Sequence, residues 1–140
     1  MSLFNVMGIA ATGMHAENVR LNTTASNVAN ANSVSSSYDQ TYKARHPVFA
    51  AALDKANSDQ SKGTGVEVLG VVESQKPLTV EYSPGHPMAD DKGYIYKPNV
   101  NIVEEMADMM SASKSYQTNV QVADTTKRIF RSVLMLGQGR

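Results

Sequence analysis

Residues 101–120, NIVEEMADMMSASKSYQTNV, decide the architecture of this chain. Asn101 is followed three residues later by Glu104, the spacing with which an N-cap and its reciprocal side chain satisfy the first free amides of a helix. Glu104, Glu105 and Asp108 gather where the helix dipole is positive, and Lys127, Arg128 and Arg131 lie toward the opposite end. Between them Ile102, Met106, Met109, Tyr116, Val120, Ala123, Phe130 and Leu134 recur on alternating three- and four-residue steps, with Ser113 and Lys127 as exceptions. That period places one apolar stripe along a helix over 102–136, closed by Gly137 and about 52 Å long at ~1.5 Å per residue.

The front of the chain repeats the pattern. Phe4, Met7, Ala11, Met14, Leu21, Ala25 and Val28 take the same steps, interrupted at Asn18, and predict a helix over 3–31, about 43 Å long. An apolar stripe has to be covered by another helix. The reading is therefore mainly α: an N-terminal helix segment (1–33) and a C-terminal one (100–140) pairing as an antiparallel coiled coil around a β-rich middle (34–99). Phe4, Met7, Met14, Leu21 and Val28 are expected to seal against Met106, Met109, Tyr116, Val120 and Phe130. Alanine fills two of the first stripe's positions, so its burial contributes little against the ~1–2 kcal/mol per residue cost of ordering backbone. Such a pair gains by joining further surfaces.

After Asn32 the helical period stops at Ser33-Val34-Ser35-Ser36-Ser37. Tyr42, Ala44, His46 and Val48 alternate with Lys43, Arg45 and Pro47, which suggests an edge strand, since proline donates nothing to a ladder. Residues 56–65 form a polar loop, expected to be the mobile part. Val66, Val68, Leu69, Val71 and Val72 predict the strongest strand, pairing across Pro77 with Leu78–Tyr82. Gly93–Tyr96 offers one more.

The chain has 140 residues, with 13 bases balancing 13 acids, so its net charge gives no case for nucleic acid or an anionic surface. The distribution is more telling. Residues 1–37 hold one acid, Glu17, one base, Arg20, and six asparagines (Asn5, Asn18, Asn22, Asn27, Asn30, Asn32). A helix whose polar face is small and uncharged suits burial against neighbours better than solvation. Without cysteine there are neither disulfides nor thiolate metal sites. No run approaches the ~18–20 apolar residues of a membrane span. A basic n-region is missing from the start, so a secreted chain would travel uncleaved by a dedicated route.

Chemistry is not legible. His15, His46 and His86 form no ligand spacing, Asp90-Asp91 lacks the oxygen alternation of a calcium loop, and Gly63-Thr64-Gly65 has no following Lys. Glu104 and Glu105 point about 100° apart on a helix and serve the cap. No catalytic, cofactor-binding or metal-binding residue is assigned, and no cofactor is expected.

The wording of several stretches is recognisable. Residues 20–33, RLNTTASNVANANS, resemble the signature of bacterial flagellar axial proteins, a Leu-x-x-x-Ala-x-Asn-x-Ala-Asn run carried here by Leu21, Ala25, Asn27, Ala29 and Asn30. Tyr42-Lys43-Ala44-Arg45, the stretch 82–90 (YSPGHPMAD), Gly93-Tyr94, Pro98-Asn99-Val100, 109–119 (MMSASKSYQTN) and Leu136-Gly137-Gln138 narrow the resemblance to the proximal rod. The resemblance implies a structural subunit of the flagellar basal body, with both terminal helices in an inner tube and the middle outside it. It implies partners among other rod proteins, copies of itself, membrane-ring and export-gate adaptors and the type III export apparatus, with no nucleic acid, no membrane insertion and no enzymatic residues. The five motif residues are then intersubunit contacts, with Asn27 on an outer face. A helical-hairpin adaptor that never polymerises is the alternative.

Overall fold

A computed structural model describes residues 2–52, 63–137 and 139. The elements run α1 (Leu3–Asn30), β1 (Arg45–Ala52), β2 (Gly65–Glu73), β3 (Thr79–Tyr82), β4 (Tyr94–Lys97) and α2 (Ile102–Gly137). Two helices with a small strand region between them are thus present, and they pack on each other. The expected loop at 56–65 lies outside the described residues as far as 62, and Gly65 already opens β2.

Local chemistry explains the helix ends. The Ser2 hydroxyl accepts from the Asn5 amide at 3.3 Å, and Asn101 Oδ1 accepts from the Val103 amide at 3.1 Å. Glu104 instead approaches Lys76, at 3.8 Å. The expected basic complement at the other end of α2 is absent, because its last turn contains no base. Arg128 pairs one turn back with Asp124.

Strand pairing departs from the expectation. β2 pairs with β1, and β3 pairs antiparallel with β4 in the register Thr79↔Lys97, Val80↔Tyr96, Glu81↔Ile95 and Tyr82↔Tyr94. A hairpin between β2 and β3 does not form. Pro77 lies in a connection in which Asn99 Nδ2 donates to the Lys76 carbonyl at 2.7 Å. The β3–β4 turn closes at Gly93, whose φ of +81° suits glycine, and a Cβ there would lie 3.0 Å from the Tyr82 ring.

The chain divides into two compact units. One comprises Met1–Val19, Val48–Gly70 and Ser111–Arg140. Within it Phe4 meets Phe130 edge to face at 5.3 Å, while a Cβ on Gly13 would come within 2.7 Å of Asn119 Nδ2. Later positions in α1 therefore meet earlier ones in α2, and the two helix segments run antiparallel. Ala10, Ala16 and Ala112 are its buried apolar residues, and the Thr12 hydroxyl accepts from the Val66 amide at 3.2 Å. The other unit comprises Arg20–Pro47 and Val71–Met110. Ala44, Leu78 and Ile95 are buried there, Arg20 Nη2 donates to Asp108 Oδ1 at 2.8 Å, and Ser35 bridges to Tyr96.

The covered face of α1 is rotated from the apolar stripe, and that of α2 takes in only half of its stripe. On α1 the covered line is Leu3, Val6, Ala10, Gly13, Glu17, Arg20, Thr24 and Asn27, whereas Phe4, Met7, Ala11, Asn18 and Ala25 are exposed. That is the expected stripe moved by one residue, about 100° around the helix. On α2 the buried positions are Glu105, Ala112 and Thr126; Ile102, Met109, Tyr116 and Ala123 stay half-buried, and Met106 and Val120 are exposed. Small side chains mark the closest approach: Ala10 and Ala112 are buried, and Gly13 lies so near Asn119 that a Cβ would not fit. Among the described residues, twenty-four large hydrophobic side chains are exposed, whereas the only large buried ones are Leu78 and Ile95. Many large apolar side chains are thus left open to solvent.

Candidate functional site

Asparagine is a poor residue for a helix interior, because its side chain competes for backbone partners. Asn27 sits three residues from the end of α1 and is 0% exposed. Its Nδ2 donates to the Arg45 carbonyl at 2.8 Å, and its Oδ1 accepts from the Arg45 amide and from the Tyr42 hydroxyl, both at 2.9 Å. The Arg45 amide can only donate, so the orientation of the side-chain amide is determined. Tyr42 also meets the Ser26 hydroxyl at 3.3 Å, and the Arg45 guanidinium stands 5.6 Å from the Tyr42 ring centre. One position earlier, the Ala44 amide donates to Asn99 Oδ1 at 2.8 Å, and its carbonyl accepts from Ser74 at 2.7 Å. Two side-chain amides thus hold the entrance to β1.

This corrects one expectation directly. Asn27 was expected on an outer face, and it is instead enclosed, with its hydrogen bonds made inside the chain. Of the other motif residues, Ala25 and Ala29 are exposed, while Leu21 and Asn30 are half-buried. Asn30 Nδ2 donates back to the Ser26 carbonyl at 2.8 Å. Among the expected pairing residues, Phe4 and Phe130 touch; Met14, Val28, Met109 and Tyr116 are half-buried; Met7, Met106 and Val120 are exposed. Tyr42, Arg45 and Asn99 lie in stretches that carry the family resemblance, but the sequence assigns them no role of their own. The signal for them is an asparagine in the last turn of α1 whose side chain makes no helical hydrogen bond.

The remaining polar cluster is a turn. Asp90 Oδ1 accepts from the Tyr94 amide at 2.8 Å and the Lys92 amide at 2.9 Å. The Tyr94 amide in particular holds this carboxyl below the ordinary aspartate range; the Lys92 amide, the Tyr96 hydroxyl and the Lys92 charge assist, against partial desolvation. Desolvation and the facing Asp90 push the Tyr96 hydroxyl up. A 460 Å³ depression lies over Val80, Asp90, Asp91, Lys92, Tyr94 and Tyr96, where the Tyr96 hydroxyl makes a long 3.4 Å contact to Asp90 Oδ2 that belongs to the turn. No cluster of metal-binding residues occurs among the described residues. In the same set, no helix is long and apolar enough to cross a membrane.

Enclosed polar positions and exposed apolar helix faces suit a building block. Comparison with known proteins agrees. Residues 7–35 match the family model for flagella basal body rod proteins, and residues 91–136 match that for the C-terminal region of the flagellar basal body rod FlgEFG proteins. The chain is a flagellar basal-body rod protein, structural and not enzymatic. Flagellar basal-body rod protein FlgC of Escherichia coli O6:H1 is 45% identical over 139 residues, covering 99% of this chain and all of that protein. FlgC of Salmonella typhimurium is 45% identical over 138 residues, and FlgC of Borreliella burgdorferi 34% over 152, each with the same coverage. The chain belongs to the FlgC family.

Proposed function

We propose that this rod subunit polymerises through the outward faces of α1 and α2, its terminal helices forming an antiparallel coiled coil in the inner tube of a shaft that transmits motor torque. The single observation that carries the reading is the exposed apolar line. Phe4 and Met7 on α1, and Val103, Met106, Met110 and Val120 on α2, remain open to solvent, Met110 at 71%. Large apolar side chains left open along one helix, as Val103, Met106 and Met110 are, mark a protein contact. Ala25 and Ala29 continue the open face of α1, where small residues permit close approach. When one patch meets a different patch on the next subunit and the rotation does not close, an open helical array results. The strand-rich middle then faces outward, and the partners are copies of this chain, other rod proteins, and adaptors of the membrane ring and export gate. Export through the type III apparatus fits the same reading.

Burying Met110 in an interface contributes roughly 1–2 kcal/mol, given ~1.5–3 kcal/mol for a fully buried large side chain. Met110→Gln therefore weakens each contact about five- to thirty-fold, and the loss recurs at every subunit. The test is motility and the yield of rods from cells carrying Met110→Gln, alongside the fold of the purified variant. A folded subunit that no longer assembles supports the reading; undiminished rod yield refutes it.

A further inference from the structure

We infer that Asn27, aided by Asn99, positions the entrance of β1 on α1, the side-chain amide of Asn27 standing in for a neighbouring strand. This concerns a single chain and goes beyond the assembly reading, since it holds whichever faces meet in the rod. A residue paired in an antiparallel ladder exchanges two hydrogen bonds with its partner, donating one and accepting one. Arg45 does the same with one asparagine: its amide donates to Asn27 Oδ1 at 2.9 Å, and its carbonyl accepts from Asn27 Nδ2 at 2.8 Å. Ala44 is completed from the other side by Asn99 Oδ1 at 2.8 Å, and Asn99 Nδ2 reaches the Lys76 carbonyl at 2.7 Å. Ala44 is 2% exposed, so no solvent replaces these partners.

The geometry has two consequences. First, at neutral pH only an amide fits at 27, because the site needs a donor and an acceptor on one planar group. Second, Asn27 faces Arg45 only while the last turns of α1 are helical. The start of β1 is therefore in register only when α1 has formed, and the helix acts as the template for the strand. In this role the asparagine of the axial motif organises its own subunit.

Asn27→Asp separates the donor from everything else, since it preserves shape and the acceptor. At neutral pH its second carboxylate oxygen opposes the Arg45 carbonyl. The second oxygen is enclosed against that carbonyl, and this repulsion with desolvation raises the carboxyl's folded-state pKa above its unfolded value, against the two hydrogen bonds that Oδ1 accepts and the Arg45 guanidinium beside Tyr42. The clamp is consequently intact at pH below the unfolded value and is lost as pH rises through the folded one. The test is amide hydrogen exchange of the full chain, read as protection of Ala44 and Arg45 relative to the intrinsic exchange rate at each pH. Wild type is expected to protect both amides at pH 7 and at pH 3.5, below the unfolded aspartate value of about 3.9. Asn27→Asp is expected to lose at least tenfold protection at Arg45 at pH 7 and to return within threefold of wild type at pH 3.5. Asn27→Ala, lacking any group to protonate, loses protection at both. Should Asn27→Ala unfold entirely, the acid recovery of Asn27→Asp decides alone. Wild-type protection in Asn27→Asp at pH 7, or a loss in it that persists at pH 3.5 while wild type stays protected, overturns the inference.

Discussion

Replacing Ala112 by leucine separates the covered face of α2 from its apolar stripe. Ala112 is 0% exposed in a unit whose other buried apolar residues are Ala10 and Ala16. Leucine adds three carbons where small side chains let the helix backbones approach, and overpacking of this kind costs typically ~1–3 kcal/mol. The difference in helix propensity is only a few tenths of a kcal/mol and does not decide the outcome. Ser113, by contrast, stands in the apolar stripe and is half-buried. Were that stripe the covered seam, Ser113→Leu would complete it and stabilise the chain, and Ala112→Leu would be harmless. The structure predicts the reverse: a loss of ~1–3 kcal/mol for Ala112→Leu and a change within about 0.5 kcal/mol for Ser113→Leu. Urea unfolding of the full chain followed by far-UV circular dichroism reads this as a fall in midpoint of roughly 0.5–2 M for Ala112→Leu. A neutral Ala112→Leu together with a stabilising Ser113→Leu refutes the reasoning.

Other substitutions test other contacts. A Cβ on Gly65 would lie 2.6 Å from Thr12 Oγ1 and 3.3 Å from Thr12 Cβ; Gly65→Ala should destabilise by ~1–3 kcal/mol, and Thr12→Gly in the same chain should recover part of the loss in the same urea titration. Gly93→Ala forces a side chain onto a φ of +81° against Tyr82 and Pro84, so a cost of about 1–3 kcal/mol and a shifted Tyr94 amide resonance are expected. Asp90 has a depressed folded-state pKa. Its contribution to the turn is therefore present above the unfolded aspartate value and is lost as pH falls through the folded one. The Lys92 and Tyr94 amide resonances should titrate with a midpoint below the ordinary aspartate value and stop titrating in Asp90→Asn.

The helices were legible because period and caps agree. Asn101 begins α2 where its spacing to Glu104 placed it, and both helix extents lie within a residue of expectation. Their phase was not legible. Periodicity finds the most apolar line on a helix, which is the covered line only if the subunit is complete alone. Here Thr24, Asn27, Glu105 and Thr126 are buried while Phe4, Met7, Met106 and Met110 are open. The strands were found more readily than their partners, since alternation reports exposure and not which edge is adjacent. The axial motif points to Asn27 as a contact, and only the positions of Tyr42 and Arg45 reveal what it holds.

The most direct measurement is oxidative footprinting of the methionines in the free subunit and in purified basal bodies. The account predicts that Met106 and Met110 oxidise faster than the half-buried Met109 in the free chain, and that both become at least tenfold slower in the assembled rod. Equal oxidation of Met106 and Met110 in the two states would contradict it.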